Sequence, residues 1–373
     1  MLNRVLSVAV LTAVVFICVS CTISRNDFTI LPQEAPEIAD ISVLIDRIEG
    51  VHLFSSSGDA VAPVQKILVL PEGRLLVMDT RKNVHIYSSE GGNLLRVGRI
   101  GRGPGEYVAL QDIAFDPESN RIALLCSGKV MEYDLSGNYL ASYELPKINY
   151  DAIASFKDGF CLFAAAPNHE IEDLETAHNT VHFYSRAKMD IIKETLPRKD
   201  YILNTEMISY SAGTGYYLRP LEGENVLYKI EDSRIEKTMV VSFGKDQSPE
   251  KSLLRDGKYD IGNYVMSPYY KMPMNFQFTD RHFIFSAIGP GGVMYYYLYD
   301  KDRSPIARWN EHEDCLSPVK IVSSDADSVY FLINDPSYWK QLDMETLDPL
   351  MKAVMSNCVI TEDSPFIFRL FLK

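Results

Sequence analysis

Two neighbouring stretches of this chain say nearly the same thing. Val84 to Leu95 reads VHIYSSEGGNLL, and Val130 to Leu140 reads VMEYDLSGNYL. Each is a β-type run, a tight turn containing Gly and Asn, and a second β-type run. One such hairpin cannot bury its apolar face alone, so tandem copies have to stack on one another. That requirement selects a repeat-built β architecture, and short tandem hairpins point to a propeller.

The copies can be followed along the chain. From Val64, four β-type runs are joined by short turns: Val64 to Val69, Leu75 to Met78, Val84 to Tyr87 and Leu94 to Ile100. A second set runs Asp112 to Phe115, Arg121 to Cys126, Val130 to Asp134 and Tyr139 to Leu145. In both, a turn (Pro71-Glu72-Gly73 or Asp116-Pro117-Glu118) separates the first two runs. Looser copies span Ala152 to Leu196, with an insert at Pro167 to Asn179, then Ile208 to Phe243, Phe276 to Trp309, and Val319 to Met344 ending in YWKQLDM. The segment Lys245 to Met274 lacks strand alternation and reads as a short helix or a long inter-blade loop. Two β-type runs are left over, Ile41 to Phe54 and Phe366 to Leu372. A propeller closes its ring by building one blade from both chain ends, which removes an open sheet edge. The expected fold is therefore all-β: a six-bladed β-propeller with four-stranded antiparallel blades, the ring closed by N- and C-terminal strands. The rival, a pair of β-sandwiches, does not account for the tandem likeness or the two orphan runs.

Composition agrees. The chain has 373 residues, 46% of them hydrophobic, with 22 Tyr against 2 Trp. Tyr suits pleated, half-buried surfaces. The net charge of −13 comes without a basic stripe, so no nucleic-acid partner is expected.

The N-terminus reads as an address. Arg4 precedes an apolar run that ends at Ser20, too short for a bilayer span of roughly 20 residues but fitting a secretory signal. Cys18-Val19-Ser20-Cys21 resembles a bacterial lipobox, which implies cleavage before Cys21, its acylation, and the lipid bilayer as a partner. Cys18 stands where that motif usually has Leu. The expected division is a signal peptide over 1–20, a tether over 21–38 and one propeller domain over 39–373. The location follows: a lipid-anchored protein of the bacterial cell envelope, at the periplasmic face or the outer-membrane surface.

Several motifs invite a chemical reading. Gly98 to Tyr107 (GRIGRGPGEY) is glycine-rich, but it fits neither a dinucleotide nor a P-loop spacing and is followed by a β-type run. It is expected to connect one blade to the next. Cys126, Cys161, Cys315 and Cys358 are far apart and form no C-x-x-C pair; they read as buried small side chains, and spacing assigns no disulfide. His169, His178 and His182 around an acidic insert are the best metal-like set, although the run after Asn179 reads as a strand. Gln111, Asp112, Asn275 and Gln277 are candidate channel-lining polar residues. Tyr264, Tyr269 and Tyr270, in the irregular segment, are candidate ligand contacts because loops carry function on a rigid scaffold. Tyr295-Tyr296-Tyr297 with Tyr299 reads as a strand with Tyr on both faces. No G-x-S-x-G nucleophile motif occurs.

VGRIGRGPGEY, DIAFDPESNRIALLC and YDLSGNYL together resemble the six-bladed β-propeller lipoproteins of gut anaerobic bacteria. They are more distantly similar to NHL-repeat and TolB-like propellers. The resemblance implies an exported, often lipid-anchored propeller and carries over no catalytic residue. Three functions stay open. The leading one is a non-enzymatic binding module for a protein, peptide or glycan, working through top-face loops and channel mouth, with no cofactor. The second is a metal-dependent lactonase- or lyase-like hydrolase with a divalent cation in the central channel. The third is a structural subunit of an envelope complex.

Overall fold

The structure, a computed structural model, describes residues 29–39, 41–55, 61–164, 179–197, 207–219, 225–248, 254–255, 258–310, 319–335, 349–358 and 364–373. Six antiparallel four-stranded blades form the molecule. Blade 1 comprises Val64–Val69, Leu75–Asp79, Val84–Tyr87 and Asn93–Arg96, and blade 2 Leu110–Asp116, Arg121–Cys126, Lys129–Asp134 and Tyr139–Glu144. Blade 3 is Ala152–Ser155, Gly159–Phe163, Asn179–Ser185 and Asp190–Pro197; blade 4 is Ile208–Ser211, Gly215–Leu218, Val226–Glu231 and Arg234–Val241. Blade 5 is Lys271–Phe278, His282–Ile288, Met294–Asp300 and Pro305–Asn310. Blade 6 takes Val319–Ser324 and Ser328–Ile333 from the body of the chain, then Phe366–Leu372 and, outermost, Ile45–His52. The two orphan runs therefore close the ring together.

Burial follows position within a blade. Central strands are covered on both faces by neighbouring blades and read as apolar runs, as in RIALLC and FIFRLFL. Outer strands such as DIIKETLP are half exposed. The repeated turn has a local cause. The Asp134 carboxylate accepts the backbone N–H groups of Ser136 and Asn138 at 2.9 and 2.8 Å, with Gly137 at φ 79°. Ser88 Oγ does the same for Gly92, and Gly91 takes φ 87°. An Asp or Ser at the turn start and a Gly inside it are what the backbone needs there.

The structure departs from the sequence reading at three places. Thr29–Ile38, read as tether, packs on the propeller: Thr29 and Ile30 pair parallel with Val240 and Val241 of blade 4. Pro36 and Ile38 then exchange backbone hydrogen bonds with Arg308 of blade 5. Ile41–Leu44 is a 3-10 turn, and the strand begins at Ile45. The inner strand of blade 5 begins at Lys271, inside the segment that showed no alternation. Met272 and Asn275 adopt positive φ, and the register slips twice, which hides the period-2 signal. A short helix, Ile261–Val265, precedes it. The YWKQLDM run, Pro167 to His178, Cys315, His169 and Cys21 lie outside the described residues. Among the described residues no helix is long and apolar enough to cross a membrane.

Candidate functional site

Each blade contributes its first strand to the central channel, and these strands start at one face. At that mouth lies a cavity of about 270 Å³. Its polar walls are Gln65 and Lys66 of blade 1, Gln111 and Asp112 of blade 2, Asp151 ahead of blade 3, and Lys320 of blade 6. Met78, Ala152, Met207 and Ile208 supply its apolar wall. Lys66 Nζ donates to both Asp112 oxygens, at 2.7 and 2.9 Å, and both residues are buried. The Ile153 N–H donates to the same carboxylate at 3.0 Å, so Asp112 joins blades 1, 2 and 3. Lys82 Nζ donates to Gln65 Oε1 at 2.7 Å. Burial lowers the Lys82 pKa, against a smaller upward pull from Asp112 and Asp79. Gln111 Oε1 is buried without a hydrogen bond among the described residues, an acceptor facing a cavity that holds polar donors.

The opposite end of the channel is shut. Gln277 Oε1 accepts from Ser211 Oγ at 2.9 Å and Ser324 Oγ at 3.0 Å, joining the inner strands of blades 4, 5 and 6. The Ala212 N–H donates to the Ser324 carbonyl at 2.8 Å, a backbone bridge across the axis. The channel is thus a cup with one mouth.

Residues 22–320 match the sequence profile of DUF5128, described as a 6-bladed beta-propeller. The chain belongs to this family. Among solved structures, an 18% identical Bacteroides fragilis protein, whose name marks it as exported, superposes with a TM-score of 0.71, covering 93% of this chain and 99% of that one. A member of the DUF4221 family from Bacteroides vulgatus, 11% identical, gives a TM-score of 0.54 over 88% of this chain and 97% of its own. At these identities the two likenesses speak for the fold alone. No curated protein matches the chain.

The sequence candidates fall in different places on this family fold. Gln111 and Asp112 line the mouth. Gln277, 1% exposed, is part of the floor. Asn275 is half-buried and donates to Ser286 Oγ at 3.0 Å, away from the mouth. Tyr264, Tyr269 and Tyr270 do not reach the cup. Tyr264 is buried against Met272 and Ile288. Tyr270 stacks on Phe243, with ring centroids 5.2 Å apart, and meets Tyr295 edge-on. Burial, then Tyr295, pushes the Tyr270 pKa up to about 12. The segment is held by Lys271, 1% exposed, whose Nζ donates to the Ser267 and Tyr269 carbonyls at 3.0 and 2.6 Å. His182 is buried with both ring nitrogens engaged, Nδ1 with Tyr150 Oη at 2.7 Å and Nε2 with the Asn179 carbonyl at 3.1 Å. It has no lone pair left for a metal ion. His178 lies outside the described residues.

Cys126 and Cys161 are free and buried, and Cys358 is free and partly buried. Burial pushes the Cys126 thiol up to about 12. The glycine-rich segment connects blades 1 and 2: Arg99–Ile100 pairs parallel with Glu106–Tyr107, and the Gly103 N–H donates to Glu106 Oε2 at 2.7 Å. A Cβ at Gly98, which has φ 63°, would stand 2.8 Å from the Tyr133 hydroxyl. Gln65, Lys66, Asp151 and Lys320 were not singled out from sequence. They hold equivalent positions at the starts of inner strands, so superposing the copies would have exposed them.

Proposed function

We propose that this chain is an exported, lipid-anchored β-propeller of the cell envelope that works as a binding module, with the cup mouth as its recognition site. The unsatisfied Gln111 carbonyl carries this reading. It sits in a preformed cavity with the Gln65 amide, the exposed Lys320 ammonium and an apolar wall, over a closed floor. Such a site offers neutral and cationic polar contacts side by side, the pattern of a site for a glycan or peptide rich in hydrogen-bonding groups. Of the two mouth carboxylates, Asp112 is already committed to Lys66 and the Ile153 N–H, which leaves it little capacity for a divalent cation. The name of the Bacteroides fragilis neighbour and the Cys18-Val19-Ser20-Cys21 run both support export. Acylated Cys21 would hold the first described residue, Thr29, within about 28 Å of the bilayer, and so the rim of blade 4 near it.

Glycan and peptide arrays probed with wild-type protein and with Gln111→Ala and Lys320→Ala test the site. A hit lost in both variants supports it; hits equal in all three proteins, or none, remove it. Metabolic labelling with an alkyne fatty acid should mark the wild type and not Cys21→Ser. Equal labelling of both defeats the anchor.

A further inference from the structure

Three groups at the cup mouth lack counterparts. Lys320 of blade 6 is exposed and enters no ion pair among the described residues. Lys82, in the turn between the second and third strands of blade 1, donates to the neutral Gln65 carbonyl and to no carboxylate among the described residues. Gln111 Oε1 is shielded from solvent and accepts no hydrogen bond among the described residues. The Lys66–Asp112 pair in the wall cancels its own charge, with Nζ 2.7 Å from Oδ1. Asp151, the other carboxylate in the wall, stands on the blade 3 side, three blades round the ring from Lys320. The positive side of the mouth is therefore blades 6 and 1, in a chain whose net charge is −13. An anion is favoured there.

Shape narrows the choice. Gln277, Ser211 and Ser324 close the floor, so a chain that enters the cup must end inside or turn back. The cavity of about 270 Å³ lies below the roughly 300–1,000 Å³ of sites that enclose a whole small ligand, which leaves no room for a turn. A chain end fits. Of the two ends of a polypeptide, the C-terminal one carries the charge that Lys320 and Lys82 lack. Its last peptide N–H is the donor that Gln111 Oε1 lacks. Its last side chain then meets Met78, Met207 and Ile208. No aromatic ring lines the cavity among the described residues, so the mouth has no flat face to receive a sugar ring.

We propose that the cup captures the C-terminal carboxylate of a polypeptide ending in an apolar residue, with Lys320 and Lys82 holding the carboxylate and Gln111 accepting the last peptide N–H. This rests on the cup mouth being the recognition site, and it narrows the ligand from a glycan or peptide to a chain end. Hydrogen bonds from an ammonium to a carboxylate are about twice as strong as neutral ones. Capture of a terminal carboxylate is a recurrent mode of peptide recognition.

The test offers the full chain two pools of N-acetylated random pentapeptides, one with free C-terminal carboxylates and one with C-terminal amides. Retained peptides are read by mass spectrometry and their affinities by calorimetry. Retention from the free-acid pool, with apolar last residues enriched, is expected. The matching amides should bind at least about tenfold more weakly. Lys320→Ala should weaken binding about tenfold, with Lys320→Arg restoring most of it, and Gln111→Ala about fivefold. Lys157→Ala, in an exposed turn at the closed end, should leave binding unchanged. Equal retention from the two pools, or affinity unmoved in Lys320→Ala and Gln111→Ala with their folds verified by circular dichroism, overturns the proposal. Neither pool retained, with a glycan lost in both alanine variants, overturns it and leaves the cup as the recognition site. No peptide and no glycan bound overturns both readings.

Discussion

Blades 1 to 3 and blades 4 to 6 solve the same edge problem differently. The second half is belted. Thr29–Ile30 adds a parallel strand outside blade 4, Pro36 and Ile38 bond to the edge of blade 5, and Ile45–His52 is the outer strand of blade 6. Blade 1 receives only the bridge from Phe54, whose N–H donates to the Gly91 carbonyl at 2.9 Å and whose carbonyl accepts from the Asn93 N–H at 3.0 Å. Blades 2 and 3 have no such belt among the described residues, and the outer strands of blades 1 to 3 carry exposed Leu94, Tyr139, Leu140 and Ile192. What joins blades 2 and 3 instead is ionic. Glu132, fully buried, accepts from Arg186 Nε at 3.0 Å and Arg121 Nη1 at 3.2 Å, and from the Tyr143 hydroxyl. Arg186 also donates to the Phe156 and Gly159 carbonyls and to Ser155 Oγ. Backbone pairing from a distant segment and a saturated side-chain network thus fasten different parts of one ring.

The largest test of that contrast breaks the ionic half. Glu132→Ala strands Arg186 in a buried site and should cost about 3–5 kcal/mol in urea unfolding. A loss under about 1 kcal/mol would show that the network is peripheral to the ring's stability. Next, Ile30→Ala trims the belt where it packs on Val241 and Phe243. It should cost about 2 kcal/mol, with faster hydrogen exchange confined to the outer strands of blade 4. Exchange that accelerates around the whole ring instead would make the belt a global clamp.

The smallest effect is set by pH. Burial alone would raise the Asp325 pKa, but hydrogen bonds from Tyr330 and Ser328, with Arg369 nearby, outweigh it and hold the carboxyl below its ordinary range. A lowered folded pKa stabilises fully above the unfolded value, about 3.9, and that stability is lost as pH falls through the folded one. Arg369 also reaches Glu49 at 3.3 Å, so this cluster ties the C-terminal strand to the N-terminal one. Thermal midpoints should therefore fall below about pH 4, and Asp325→Asn should flatten that acid limb. An identical acid limb in the variant would place the sensitivity elsewhere.

The ring was legible because the signals that build it are local. Alternation, Asp- or Ser-led turns and glycines at positive φ sit within a few residues of one another, and the closing strands showed themselves as runs without partners. The candidate site was legible only in part. Gln111 and Asp112 could be placed because their copy was regular. Gln277 also belongs to an inner strand, but that strand begins at Lys271, so Gln277 stands at its far end, on the floor. Tyr264 and Tyr270 lie in irregular chain, which marks loops in general. Here Lys271 folds that chain back onto blade 5 and buries the rings. The belt escaped notice because its sequence, TILPQEAPEI, carries too few residues in any one strand to show a period.

Sequence alone determined that this chain is a six-bladed propeller closed by both ends, because each blade is specified by near-neighbour patterning. The tertiary structure alone decided which inner-strand residues meet, that one channel end is shut, and that Lys320 and Gln111 share the open one. Those sites form between blades, from residues tens to hundreds of positions apart, and no local pattern encodes which of them converge.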